Sequence, residues 1–152
     1  MDINTFITES HSRSKATGWW HDPITGISLI PGVEEFVEGE ELAEQLLKAF
    51  FPYVIATKIA LVHSETSEAL EAFRVDAMDD KLPQYPGVAV EMADVLIRVG
   101  DLIGMLQAYA KHEGRSAVDY DIDAIIEHKF SFNATRPDHG LAARALPNGK
   151  KF

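Results

Sequence analysis

The chain reads as an all-α protein, a bundle of four or five helices. Apolar residues recur at steps of three and four, as on one face of a helix. No stretch alternates apolar and polar residues at period two, as a half-buried strand would. Polar segments carrying Gly and Pro, at 17–26 and 76–87, separate the periodic runs.

Taken in order, residues 3–15 form a short helix with Asp2 or Asn4 near its start. TGWWHDPITG (17–26) reads as a loop, and SLIPGVEEF (28–36) as irregular. A helix starts near Glu38 and runs to about Ala49, and Pro52 fits the first turn of the next. In that second helix Ile55, Ile59, Val62, Thr66, Ala69 and Phe73 make a mainly apolar stripe, ending near Asp76. After the loop DAMDDKLPQYPG a long helix runs from about Val88 to His112, with Gly114 at its end. Asp121 or Asp119 caps a last helix that reaches His128 to Ala134. The organisation expected is one domain over 1–152: an N-terminal helix and loop over 1–36, a helical core over 37–134 and an irregular tail over 135–152.

The 152 residues are enough for one compact core, and 46% apolar with 25% charged residues is ordinary for a globular protein. The absence of cysteine excludes disulfides, thiolate nucleophiles and cysteine-ligated zinc or iron–sulfur sites. No basic start followed by an apolar core marks a signal peptide, and no apolar run is expected to reach membrane-spanning length, so a cytoplasmic location is the default expectation. With 14 basic against 24 acidic residues the net charge is −10. That balance argues against a nucleic-acid groove, which needs clustered Lys and Arg. Acidity of this kind serves solubility, or supplies carboxylates for metal ions to neutralise.

The acids are not scattered. Glu65 and Glu68 are three apart and project together, as do Glu91 and Asp94. From Val88 to Met105 the charged residues are Glu91, Asp94, Arg98 and Asp101, on one stripe of an otherwise apolar helix. A helix apolar on most sides is buried on most sides, so that stripe faces inward or lines a cleft. Carboxylates placed there are costly unless paired or metal-bound. The plainer reading is a solvated face with local ion pairs such as Asp94 to Arg98. Two such pairs on facing helices would make an oxygen cage for a hard divalent cation, Mg²⁺ with Mn²⁺ able to substitute. A ferritin-type di-iron site would need Glu-x-x-His pairs, and no His here stands three residues after a Glu. Glu71 falls on the outer face, and His11, His112 and His128 read as surface residues.

Glu65-x-x-Glu68, residues 69–90, then Glu91-x-x-Asp94 resembles the signature of the MazG-like, all-α nucleoside triphosphate pyrophosphohydrolases. KIALVHSETSEALEAFR is similar to the family's first motif helix and EMADVLIRVGDL to its second. HKFSFNATRPDHG and the closing GKKF resemble its smaller phage-type or bacterial members. One departure is Ser64, where many members carry an acid. The resemblance implies a MazG-like bundle that hydrolyses nucleoside triphosphates to the monophosphate and pyrophosphate, and a homodimer or a dimer of dimers.

The residue chemistry is compatible with that implication. Glu65, Glu68, Glu91 and Asp94 would hold Mg²⁺, which lowers the pKa of a bound water and bridges phosphate oxygens. Glu65 or Glu68 would accept the water's proton. Lys129, Asn133 and Arg136 are candidates for the phosphates, or else a basic helix end offsetting the dipole. Lys58, a heptad before Glu65, either reaches the phosphates or makes an ion pair. Trp19 and Trp20 either cover a nucleobase or anchor the core, with His21 and Asp22 as hydrogen-bonding neighbours and His139 a further residue near the phosphates. A non-catalytic metal- or nucleotide-binding bundle, or a helical interaction module, is the alternative.

Overall fold

The computed structural model describes residues 1–31 and 41–149, and among them all regular structure is helical. Five α-helices follow in order: α1 (Ile3–Ala16), α2 (Glu41–Arg74), α3 (Gly87–His112), α4 (Ile122–Thr135) and α5 (Leu141–Ala145). The expected helix start at Glu38 and the closing residues 150–152 lie outside the described residues. The chain divides into two compact units, Met1–Ala117 with α1 to α3 and Val118–Phe152 with α4 and α5.

Local chemistry sets the helix ends. The Asp2 side chain caps α1, accepting from the Thr5 backbone N–H at 2.9 Å and from the Thr5 hydroxyl at 2.7 Å. Asp121 caps α4 through the Ala124 N–H at 3.3 Å. Gly114, at φ +68°, closes α3, and the next amide, of Arg115, donates to the Ala110 carbonyl at 2.8 Å. The same device ends α2 without glycine. Asp76 takes φ +51° and the Ala77 amide donates back to the Ala72 carbonyl at 3.0 Å.

Two sequence expectations need correction here. The predicted break at Pro52 does not occur, because α2 runs continuously through it. Proline removes one helical hydrogen bond, but the neighbouring turn is pinned by packing. Phe51 is buried against Tyr109 with ring centroids 4.2 Å apart, and Val54 and Ile55 flank the same cluster. The tail after Ala134 is not wholly irregular either, since Pro137–His139 forms a 3₁₀ turn and α5 follows.

In the first unit both α1 and α2 pack on α3. The core is small: Trp20, Ile30, Phe51 and Met105, with Val54, Ile55 and Tyr109 around it. Each of these large side chains stabilises the fold by about 1.5–3 kcal/mol when fully buried. Helix α1 sits in a notch cut into α3. A Cβ added at Gly100 would lie 2.9 Å from the Phe6 ring and 3.0 Å from the Ser10 hydroxyl, and one at Gly104 would lie 2.6 Å from the His11 Cβ. The missing side chains let the two backbones approach closely.

The inward face of α2 differs from the stripe read in the sequence. Phe51, Glu65 and Ala69 are buried and Ile55, Lys58 and Val62 half-buried, spaced four and three apart. Ile59, Thr66 and Phe73 instead face outward. The buried stripe thus carries two charged residues. The expectation that no run reaches membrane-spanning length is also overturned, since Gln45–Arg74 is long and apolar enough to cross a membrane by length and composition. This helix carries Lys58 and Glu65 toward α3, and its outer side leaves Phe50, Tyr53, Ile59, Leu70 and Phe73 exposed.

Gly104→Ala is expected to destabilise the protein by about 1–3 kcal/mol, because the added methyl must displace the His11 stem. Urea unfolding with an unchanged m-value checks it, and wild-type stability would contradict the notch.

Candidate functional site

The charged stripe of α3 faces the other helices, and the structure gives each of its members a partner role. Asp101, at the deep end, is 6% exposed. Its Oδ1 accepts the Trp20 indole N–H at 2.7 Å and lies 2.8 Å from His11 Nδ1. The His11 and Trp20 rings meet edge to face at 5.7 Å. His11 is therefore not the surface residue its sequence context suggested. Trp20 is fully buried, so of the two readings of the tryptophans the core role describes it.

One turn toward the N-terminus of α3, Arg98 reaches across to α2. Its Nε and Nη2 both contact Glu65 Oε1. The plainer reading paired Arg98 locally with Asp94; in the structure Arg98 bridges the helices to Glu65, the buried partner at 7% exposed, while its charge still acts on Asp94. Glu65, Glu91 and Asp94 then converge, with one carboxylate oxygen of each within 4.8 Å of the others. Glu68 stands outside that trio. It is exposed on α2, and the Ser64 hydroxyl donates to its Oε1 at 3.1 Å.

The crowding is visible in the acidities. Burial raises the Glu91 carboxyl above its ordinary value, and the charges of Glu68 and Glu65, a hydrogen bond with Glu65 and the charge of Asp94 raise it further. Burial likewise raises Asp94, with Glu65 adding to it and Arg98 and Lys81 opposing. Three hard oxygen donors this close together could hold a metal ion.

Beside the trio lies a cleft of about 290 Å³ lined by Trp19, Lys58, Asp94, Arg98 and Asp101, among others. Trp19 is 55% exposed, which makes it the cleft-facing member of the tryptophan pair. The Arg98 guanidinium lies 5.5 Å and the Lys58 ammonium 5.8 Å from its ring centroid. Lys58 donates to the Trp19 carbonyl at 2.6 Å and sits 4.2 Å from the Trp20 ring centroid. Burial lowers its pKa, Arg98 lowers it further, and Asp101 opposes. The carbonyl bond and the ring contact, rather than a simple ion pair, describe Lys58. His21 does not line the cleft, and its Nδ1 is buried without a hydrogen-bond partner among the described residues.

The remaining candidates belong to the second unit. Arg136 follows α4 and forks onto Asp138, Nε to Oδ1 at 3.0 Å and Nη2 to Oδ2 at 2.6 Å. Lys129 lies 5.5 Å from the Phe132 ring, and Asn133 Oδ1 is buried without a hydrogen-bond partner among the described residues. The side chain of His139 lies outside the described residues. Residues the sequence reading did not assign to the site are Arg98, Asp101 and His11. The first two already stood on the acidic stripe of α3, whereas nothing in the spacing of His11 points to Asp101.

Comparison with protein-family models, with curated proteins and with solved structures finds no match for this chain.

The raised pKa values of Glu91 and Asp94 set a pH dependence. A folded value above the ordinary one means that the native state holds its proton more tightly than the unfolded chain. The corresponding stability is complete below the ordinary carboxylate value and is lost as pH rises through the raised one. In metal-free buffer the melting temperature should therefore rise as pH falls from neutral toward the ordinary carboxylate range. Glu91→Gln should flatten that slope, and an equal slope in wild type and variant would count against the crowded trio.

Proposed function

We propose that the chain is a divalent-cation-dependent nucleoside triphosphate pyrophosphohydrolase of the MazG-like kind that its motifs resemble. The observation that carries this reading is the cleft in which Asp94 of the carboxylate trio, two cations and an exposed aromatic ring share one wall space. Triphosphate recognition asks for these elements: a hard cation to offset the phosphates, cationic donors for developing charge, and a flat apolar surface for a base.

In this proposal Glu65, Glu91 and Asp94 hold Mg²⁺, or Mn²⁺ in its place. When bound, the cation supplies charge screening for the phosphates and acidifies a coordinated water. The chain's own residues supply the rest. Trp19 offers its ring face to the base. Arg98 and Lys58 bring positive charge to the side of the cleft where phosphates would lie. Of the two glutamates considered as proton acceptor, Glu68 suits the role better. Glu65 is buried under Arg98, whereas Glu68 is exposed with a neutral hydroxyl as its partner. Lys129, Asn133 and Arg136 remain proposed phosphate ligands on the strength of the motif resemblance.

The outer side of α2 supports a second element of the proposal. Its exposed apolar side chains, Ile59, Leu70 and Phe73 in one sector and Phe50 and Tyr53 in another, are the kind of surface that a second copy of the chain would cover, giving a homodimer or a dimer of dimers. The same surface also suits a helical interaction module without turnover. Catalysis separates the two readings.

A panel of nucleoside triphosphates with Mg²⁺, read for pyrophosphate against orthophosphate, tests the activity. Pyrophosphate release is expected, and Glu68→Gln and Asp94→Asn should each lower it by about 100-fold or more. Mg²⁺ should also raise the melting temperature of the wild type and not of Asp94→Asn. No release from any nucleotide, together with no thermal shift, would leave the interaction module standing. Light scattering should give a mass at or above twice the 16.8 kDa chain, and a clean monomer at micromolar concentration would remove the assembly proposal.

A further inference from the structure

We infer that Arg98 is an exchangeable counter-ion: it neutralises Glu65 when no divalent cation is held, and it turns to the ligand's phosphates when one is. The inference rests on the metal-dependent reading above and deepens it, by saying how Arg98 divides its charge between Glu65 and the phosphates.

The geometry points to exchange rather than to a fixed brace. A guanidinium can fork onto both oxygens of a carboxylate, as Arg136 does with Asp138 in this chain. Arg98 instead directs Nε and Nη2 to the same oxygen, Glu65 Oε1. It does so on the one buried acid of the trio. Arg98 is the cation in direct contact with that carboxylate, and the alternative occupant of the same charge deficit is a divalent cation. Both cannot be accommodated at full strength, since like charges meeting at one carboxylate repel.

Arg98 also has somewhere to go. Its guanidinium already lines the cleft, 5.5 Å from the Trp19 ring centroid, with Lys58 on the same cavity wall. A short rotation about its side-chain torsions keeps it over the aromatic ring while giving up Glu65. There its planar donors match a phosphate group. Lys58 cannot substitute readily, because its ammonium is committed to the Trp19 carbonyl and half-buried. Each site would thus report on the other: cation binding frees the phosphate donor, and phosphate binding withdraws the competitor for Glu65.

The test uses the full chain after chelator treatment. Calorimetric titration of wild type and Arg98→Ala with Mn²⁺ comes first, followed by titration with an α,β-methylene nucleoside triphosphate at saturating Mg²⁺. Arg98→Ala should bind Mn²⁺ more tightly, up to about tenfold, and the analogue about tenfold more weakly. In wild type, Mg²⁺ alone should change the Trp19 emission as the guanidinium moves, and the change should vanish in Arg98→Ala and in Trp19→Phe. A fixed structural brace predicts the reverse for the metal, since losing it would loosen Glu65. Equal or weaker Mn²⁺ binding by Arg98→Ala therefore overturns the exchange while leaving the metal site intact. Should circular dichroism show that Arg98→Ala does not fold, Arg98→Lys carries the same test. It keeps the charge and loses the fork, so Mn²⁺ binding should tighten and analogue binding weaken by smaller factors, and unchanged Mn²⁺ binding overturns the inference. Absence of Mn²⁺ binding by the wild type is a separate result, and it removes the metal-dependent reading and the exchange together.

Discussion

The buried carboxylate of Asp101 is the contact on which the first unit depends. One oxygen receives the Trp20 indole and faces the His11 ring, so α3 is joined to α1 and to the loop after it at a single atom. Its charge also supports the half-buried Lys58 on α2. A carboxylate taken out of water is costly until donors surround it. Here that cost is offset only when all the neighbouring elements are in place, which makes the polar centre a condition on the arrangement of three helices. Loss of one partner would leave a buried polar group unsatisfied, at about 1–3 kcal/mol. The apolar core nearby is too small to enforce that arrangement alone.

From that centre a line of charged residues runs outward along α3. Asp101 is followed by Arg98, then by Asp94 and Glu91, with Glu65 entering from α2. The deep end is locally satisfied and the outer end is not. Arg98 marks the boundary, since beyond it carboxylates crowd together and neighbouring charges raise the pKa of Glu91 and of Asp94. An excess of negative charge held between two packed helices, beside an exposed aromatic ring and a half-buried lysine, is a configuration with chemical consequences, whereas the same acids on a solvated face would have relaxed apart.

Much of this was legible in the sequence, and what was not has identifiable causes. The helices of the first unit were readable because their ends carry local signals at Asp2 and Gly114, and the acids of α3 were placed inward because they interrupt an apolar helix at steps of three and four. The continuity of α2 through Pro52 was hidden. Proline's local rule is unfavourable there, and the packing of Phe51 on Tyr109 that overrides it joins residues far apart in the chain. The inward face of α2 was misjudged for a related reason. Hydrophobicity alone pointed to Ile59 and Phe73, while the face toward α3 was decided by charge pairing at Glu65. His11 was read as a surface residue because nothing around it in α1 marks a buried partner, and its partner lies on another helix. Single-sequence periodicity resolves which residues share a face, but not which face a polar helix prefers when both sides offer something to bury.

The glycine notch of α3 has a consequence for how such a protein can change over time. Gly100 and Gly104 have no room for larger side chains, so the approach of α1 to α3 is set by the Phe6, Ser10 and His11 side chains seated on them. The loop bearing Trp19 is under no such restriction: a Cβ added at Gly26 would meet nothing within 4 Å, although the residue's φ of +72° still favours glycine. Floor and rim are thereby decoupled as targets of variation. Side chains on the rim can change while the platform beneath stays constant, so variation there need not pass through a less stable fold.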